Sequence, residues 1–83
     1  MKLQLRYFAS LRDTLGCAAE TLQVPADITH TGELRDWLML QPGRAALGQV
    51  KNLRCALNQD LSDFNAPLQE GDEVAFFPPV TGG

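Results

Sequence analysis

A strand with apolar side chains on both faces constrains the fold of this chain more than any other feature. Residues 73–77 read EVAFF, and alternation along a strand places one aromatic side chain, Phe76 or Phe77, on each side. A strand that faces water on one side would alternate apolar with polar residues. The pattern therefore predicts a strand in the middle of a sheet.

The first strand has a similar pattern and is expected beside the last. Within residues 2–9, Leu3, Leu5 and Tyr7 alternate with polar residues, while Phe8 adds an apolar side chain to the opposite face. Because both strands are apolar on both faces, we predict that they are central neighbours and run parallel.

Periodicity and turn residues predict three further strands, one main helix and two short helical pieces. The strands are expected over residues 20–24, 52–58 and 61–63, the main helix over 32–40, and the short pieces over 10–15 and 44–47. These elements predict one α+β domain over residues 1–83, a mixed sheet of about five strands with one main helix packed on one face.

Both helix starts contain candidate capping residues. Ser10 and Asp13 fit the S/T-x-x-D/E capping pattern, and Gly16 is expected to end that short helix. Thr29 or Thr31 is the predicted N-cap of the main helix.

The composition excludes several functional classes. A net charge of −3 without a Lys/Arg cluster argues against a nucleic-acid partner and favours a basic protein partner. No apolar run approaches the roughly 20 residues that cross a bilayer, so no membrane role is expected. Met1 leads directly into a strand pattern rather than a secretory signal, which makes the cytoplasm the expected location.

No side-chain active site is predicted. His30 has no Ser or Cys nucleophile next to it in the sequence and is expected near a helix cap. Cys17 and Cys55 lie far apart and in no CxxC motif, so two free thiols are expected rather than a disulfide. Together with the one histidine they are too few for a structural zinc or iron–sulfur site. We therefore expect no bound cofactor or metal.

The end of the chain is instead the candidate functional element. Pro78 and Pro79 favour extended geometry, and Gly82 and Gly83 lack the side chains that would block a narrow channel. Residues 78–83 form a predicted tail that reaches about 20 Å at roughly 3.3–3.6 Å per residue. Its α-carboxylate, with a pKa of about 3.3–3.7, is ionised at neutral pH and needs activation to react, with ATP as the obvious means.

Two aromatic residues outside the expected core have two possible explanations. Phe8 and Phe77 would lie together on the outer face of the sheet, and exposed apolar pairs of this kind mark interfaces. Alternatively, a short second layer such as the Leu61 region covers them.

Four blocks of sequence together resemble the small subunit of molybdopterin synthase, a ubiquitin-like β-grasp sulfur carrier. They are LRYFASLRDTLG (5–16), TGELRDWL (31–38), ALNQD (56–60) and PLQEGDEVAFFPPVTGG (67–83), of which the last is the most specific.

The resemblance implies a complete reaction sequence. An E1-like adenylating enzyme would use ATP to adenylate the C-terminal carboxylate, and a persulfide sulfur donor would convert it to a thiocarboxylate. The tail would then enter the large synthase subunit and give its sulfur to cyclic pyranopterin monophosphate, forming the molybdopterin dithiolene. Two small subunits would flank a dimer of large ones as a heterotetramer, and the small subunit alone would be non-catalytic.

The resemblance also implies a role for each residue of the tail and its base. Gly83 would be the covalent carrier, and Gly82 would give clearance. The inserted arm would comprise Thr81, Val80, Pro79 and Pro78, while Phe77, Phe8 and Arg12 would contact the partner.

Three alternatives remain at this point. A thiamine-type sulfur carrier also ends in Gly-Gly, although the FFPPV block and the chain length disfavour it. A ubiquitin-like modifier would join its terminus to lysines. A non-covalent β-grasp binding module would use Phe8 and Phe77 but not the terminus.

Overall fold

A five-stranded mixed sheet in the order β2-β1-β5-β3-β4 forms the centre of the fold. The computed structural model describes residues 1–79. Its strands are β1 (Lys2–Tyr7), β2 (Ala19–Gln23), β3 (Arg54–Leu57), β4 (Asp60–Ser62) and β5 (Glu73–Phe77); its helices are α1 (Ser10–Leu15), α2 (Thr31–Met39) and a 3-10 helix (Ala45–Gln49).

The first and last strands lie side by side inside the sheet, as predicted. β1 and β5 pair in parallel with Leu5 opposite Val74 and Tyr7 opposite Phe76. β2 pairs antiparallel with the other edge of β1, and β3 pairs antiparallel with the other edge of β5. β4 completes the sheet beside β3. β5 therefore has a hydrogen-bonded strand on each side.

The helices cover one face of this sheet. Leu34 and Leu38 of α2 are fully buried and belong to one core cluster with the inward side chains of β1 and β5. Tyr7 and Phe76 stack within that cluster, with ring centroids 6.4 Å apart. The predicted arrangement of a main helix on one sheet face is confirmed.

The predicted capping residues are wrong at both helix starts. Ala9, with φ of 55°, is the N-cap of α1, and Ser10 is already the first helical residue. The backbone closes this turn, because the Leu11 N–H donates to the Phe8 carbonyl at 3.2 Å. The expected end of α1 is confirmed, since Gly16 adopts φ of 77°.

The cap of α2 is His30 rather than either threonine. Its ring Nδ1 accepts a hydrogen bond from the Glu33 N–H at 3.3 Å. Thr29 donates through its N–H and hydroxyl to the Glu33 carboxylate, which lowers the pKa of Glu33. Thr31 is buried and donates to the Asp63 carbonyl at 2.8 Å, so its hydroxyl is committed to the loop that follows β4.

A hydrogen-bonded ion pair joins the sheet to the segment after α2. The Tyr7 hydroxyl and the Arg44 Nε each donate to Glu20 Oε2 at 2.7 Å, and a second Arg44 nitrogen donates to Glu20 Oε1. The hydrogen bonds from Arg44 lower the pKa of Glu20, against the opposing effect of burial. Burial and the adjacent Glu20 carboxylate raise the pKa of Tyr7.

No helix in the described part of the chain has the length and apolar character that a bilayer crossing requires.

Glu20→Gln is expected to lower the free energy of unfolding at pH 7 by about 1–3 kcal/mol, because the Arg44 guanidinium loses its charged partner. A carboxylate whose pKa is lowered by folding stabilises the fold above its ordinary pKa and loses that effect as it is protonated. The difference between the variant and the wild type should therefore shrink below pH 4.5, the ordinary value for Glu20. Urea unfolding between pH 7 and pH 3 measures this difference. Asp27→Asn, in an exposed loop, is the control, and a difference that stays constant with pH would contradict the assignment.

Candidate functional site

The predicted tail begins at the carboxyl end of the most protected strand. Phe76 is fully buried, and its carbonyl accepts a hydrogen bond from the Phe8 N–H at 3.2 Å. Pro78 and Pro79 follow directly and are half-buried. The base of the tail is therefore fixed to the middle of the sheet. The predictions for Val80, Thr81, Gly82 and Gly83 lie outside the described residues.

The sheet face opposite α2, which we call the outer face, has an aromatic pair beside the tail. Tyr7 opposes Phe76 in the parallel register, so Phe8 and Phe77 follow as the next neighbours on the opposite side of the sheet. Phe8 is 44% exposed and Phe77 is half-buried. The predicted exposure of an aromatic pair is confirmed for Phe8 and is partial for Phe77.

Leu61 does not cover this pair, so the second-layer explanation is wrong within residues 1–79. Leu61 opposes Ala56, and Ala56 opposes Ala75, which places all three on the outer face beside the phenylalanines. Leu61 is 66% exposed. The alanines leave a shallow floor between larger side chains, and a groove of about 330 Å³ lies there, lined by Arg6, Phe8, Ala56, Gln59, Glu73, Ala75 and Phe77.

Alternation along residues 73–77 predicts Ala75 on the face of Phe77, but Leu61 and Ala56 were not predicted as parts of this face. The signal that would have found them is register: the tight turn at Asn58 and Gln59, both with positive φ, fixes Leu57 opposite Asp60. Small residues at the centre of a face let a partner approach the backbone closely. The outer face thus has the form of an apolar docking surface that borders the tail.

Arg12 lies on the solvent side of α1. Its side chain is exposed, and its Nε is 4.0 Å from the Asp13 carboxylate, whereas the preceding residue, Leu11, is buried in the core. The α1 helix packs against β5, so Arg12 belongs to the end of the molecule from which the tail leaves. Its contact with a partner stays a prediction.

The remaining candidate residues serve the fold. His30 caps α2, in agreement with the expected cap-region position. Cys17 and Cys55 are free thiols. Cys55 is buried with its Sγ 3.4 Å from the Asp63 carbonyl, and burial raises the pKa of this thiol. A buried thiol of raised pKa is a poor nucleophile.

The described residues therefore provide a base for the predicted tail. The outer face is apolar and partly exposed, and β5 in the middle of the sheet ends where the predicted tail begins.

Comparison with known proteins identifies the family. A family model described as the ThiS family matches residues 5–83. The molybdopterin synthase sulfur carrier subunit of Escherichia coli (strain K12) is 42% identical over 82 residues, which cover 98% of this chain and 99% of that protein.

Solved structures agree with the fold. SAMP1 from Haloferax volcanii superposes with a TM-score of 0.78 at 26% identity, covering 100% of both chains. A chain in a complex of subunits 1 and 2 of the molybdopterin-converting factor from Helicobacter pylori gives a TM-score of 0.67 at 28% identity, again covering 100% of both chains. These matches confirm the resemblance found in the sequence blocks. The chain belongs to the ThiS family, with the ubiquitin-like β-grasp fold, and groups with the sulfur carrier subunits of molybdopterin synthase.

Proposed function

We propose that this protein carries sulfur as a thiocarboxylate on Gly83 and donates it, within a molybdopterin synthase complex, to cyclic pyranopterin monophosphate. The observation that supports this most is the position of the tail. It leaves the middle of the sheet at Phe77, directly beside an exposed apolar face. One partner surface can thus hold the domain and receive the terminus at the same time.

Activation requires a second protein. An E1-like adenylating enzyme would bring ATP to the Gly83 carboxylate, whose oxygen attacks the α-phosphorus and releases pyrophosphate. The terminal sulfur of a persulfide donor then attacks the acyl carbon, and AMP leaves. A thiol cleaves the resulting acyl disulfide, which leaves the thiocarboxylate on Gly83 and oxidises the thiol to a disulfide. Gly82 and Gly83 suit this chemistry because they have no Cβ to obstruct an active-site channel.

Sulfur transfer takes place on the large synthase subunit. Phe77 and Phe8 dock on that subunit, the arm formed by Pro78 to Thr81 enters its active site, and Arg12 contacts it at the edge. The subunit's own residues catalyse attack of the thiocarboxylate sulfur on a carbon of the pterin precursor, from which an oxygen substituent leaves. Water then cleaves the acyl–sulfur bond, so that the sulfur stays on the pterin and Gly83 regains its carboxylate. Two small subunits flank a dimer of large subunits, and the complex is cytoplasmic.

Conjugation to lysine is the second candidate function. The structural likeness to SAMP1 from Haloferax volcanii favours it, because SAMP1 is a small archaeal modifier protein and shares the fold over its full length. A thiamine-type carrier is a third possibility within the ThiS family. The three differ in what the activated terminus transfers: sulfur to a pterin, sulfur to a thiamine precursor, or the terminal acyl group itself to a lysine amine.

Incubation with the adenylating enzyme, ATP and a persulfide donor is expected to exchange one oxygen for sulfur at Gly83. Intact-mass and C-terminal peptide mass spectrometry measure the exchange. Deletion of Gly83 should abolish it and abolish pterin product formation with the large subunit, while the thermal midpoint stays within about 1 °C, because the deleted residue lies beyond β5. A lysine-linked adduct without sulfur exchange would overturn the sulfur-carrier proposal. Full activity of the truncated chain would favour the non-covalent binding module.

Phe77→Ala is expected to weaken binding to the large subunit about thirtyfold, corresponding to about 2 kcal/mol for loss of an aromatic contact at an interface. The free energy of unfolding should fall by less than this, because the ring is only half-buried in the free domain. Titration calorimetry and urea unfolding measure the two effects. Leu40→Ala is the matched control, since Leu40 is 82% exposed at the end of α2 and away from the outer face. A large loss of stability with unchanged affinity would place Phe77 in the core instead.

A further inference from the structure

Arg54 lies directly beside the base of the tail. It opposes Phe77 in the antiparallel register of β3 and β5, and its neighbour Cys55 faces the core. Opposed residues in a sheet share a face. Arg54, Phe77 and Phe8 therefore form one row across the outer face, at its tail end.

The guanidinium of Arg54 forms no ion pair within residues 1–79, whereas Arg6 on the same face does. Arg6 Nε lies 3.8 Å from the Glu73 carboxylate. Asp63 would oppose Arg54 if the register of β3 and β4 continued, but β4 ends at Ser62. The Asp63 carboxylate accepts a hydrogen bond from the Asn65 N–H at 2.9 Å instead.

Charge is distributed unevenly along β5. Its amino end carries Glu70, Asp72 and Glu73, and the carboxylate of Asp72 there accepts hydrogen bonds from Asn58 and from the Gln69 N–H. Its carboxyl end has Arg54 beside the aromatic pair. The net charge of −3 favours a basic partner for the molecule as a whole, whereas the residue that opposes Phe77 at the base of the tail is cationic.

A partner that covers Phe77 and Phe8 must also remove water from Arg54. Withdrawing a guanidinium from water without an acceptor is unfavourable and works against the gain from burying the neighbouring rings. Planar bidentate pairing with a carboxylate is the geometry that offsets this cost for arginine. A partner surface that covers the two rings is therefore expected to present a carboxylate to Arg54.

We propose that Arg54 determines partner specificity at the base of the tail, by pairing with a carboxylate on the large-subunit surface that covers the outer face. This proposal rests on the proposed function, because it takes that subunit as the protein that receives the tail. It adds a requirement of charge to the apolar contact: the receiving surface is acidic where it meets β3, although the carrier itself is an acidic protein.

The test compares charge reversal at the two ends of the same sheet face. Arg54→Glu is measured against Lys2→Glu, because Lys2 is exposed on the outer side of β1 at the end far from the tail. Both variants change the net charge equally. Binding to the purified large subunit is followed by stopped-flow fluorescence at low and high ionic strength, and thermal midpoints confirm that both variants fold.

Arg54→Glu is expected to raise the Kd at low ionic strength at least tenfold, and Lys2→Glu less than about twofold. Arg54→Gln should reduce the dependence of the Kd on salt relative to the wild type, which a purely structural effect would not do. Equal Kd values for the two reversals, or tighter binding by Arg54→Glu, would overturn the proposal. So would a loss of adenylation by the activating enzyme with large-subunit binding intact, since the acidic surface would then belong to the other partner.

Measurements on the wild type show whether a negative result concerns Arg54 alone or the proposed function as well. If the wild type acquires sulfur at Gly83 and binds the large subunit, but Arg54→Glu behaves as Lys2→Glu does, only the inference about Arg54 fails. If the wild type neither acquires sulfur nor binds, the proposed function itself is wrong.

Discussion

The parallel pairing of β1 with β5 is the interaction on which the rest of this structure depends. It places Tyr7 against Phe76 in the core and, one residue further along each strand, Phe8 beside Phe77 on the outer face. The same pairing holds the start of the tail by a hydrogen bond between Phe8 and Phe76. The packing of the core, the aromatic pair on the outer face and the point at which the predicted tail begins are therefore consequences of a single register. A slip of one residue would reverse which ring is buried.

The two faces of the sheet have different tasks and different chemistry. The inner face is closed by α2 and contains the fully buried side chains. The outer face combines two phenylalanines, two alanines and an exposed leucine with cationic side chains, and remains open within residues 1–79. A domain of this size can bury only a modest fraction of its surface. An exposed apolar face lowers solubility. A partner protein that covers the face would account for the presence of these apolar side chains.

Most of the fold could be predicted from local patterns, and the failures have a common cause. The central position of β1 and β5 followed from apolar residues on both faces, and Gly16 ended α1 as expected. The α2 cap could not be predicted, because Thr31 is drawn to the Asp63 carbonyl and leaves the capping role to His30. The Glu20 cluster likewise joins residues that are distant in sequence. Phe8 and Phe77 on the outer face could be predicted from alternation within their own strands. Leu61 and Arg54 were not predicted on this face, because their positions depend on the register between strands.

The central pairing of the first and last strands also affects when the protein can fold during its synthesis. Leu5 and Val74, which face each other, are separated by nearly the whole chain, so the sheet closes only through contacts of the longest range in this sequence. During synthesis β5 leaves the ribosome after the other four strands of residues 1–79, and before it pairs there is neither a complete core nor an assembled outer face. A truncated nascent chain thus has no aromatic row to offer a partner. The topology therefore ties the assembly of the outer face to the synthesis of β5, so that a chain cut short before residue 73 lacks both the core and the aromatic pair.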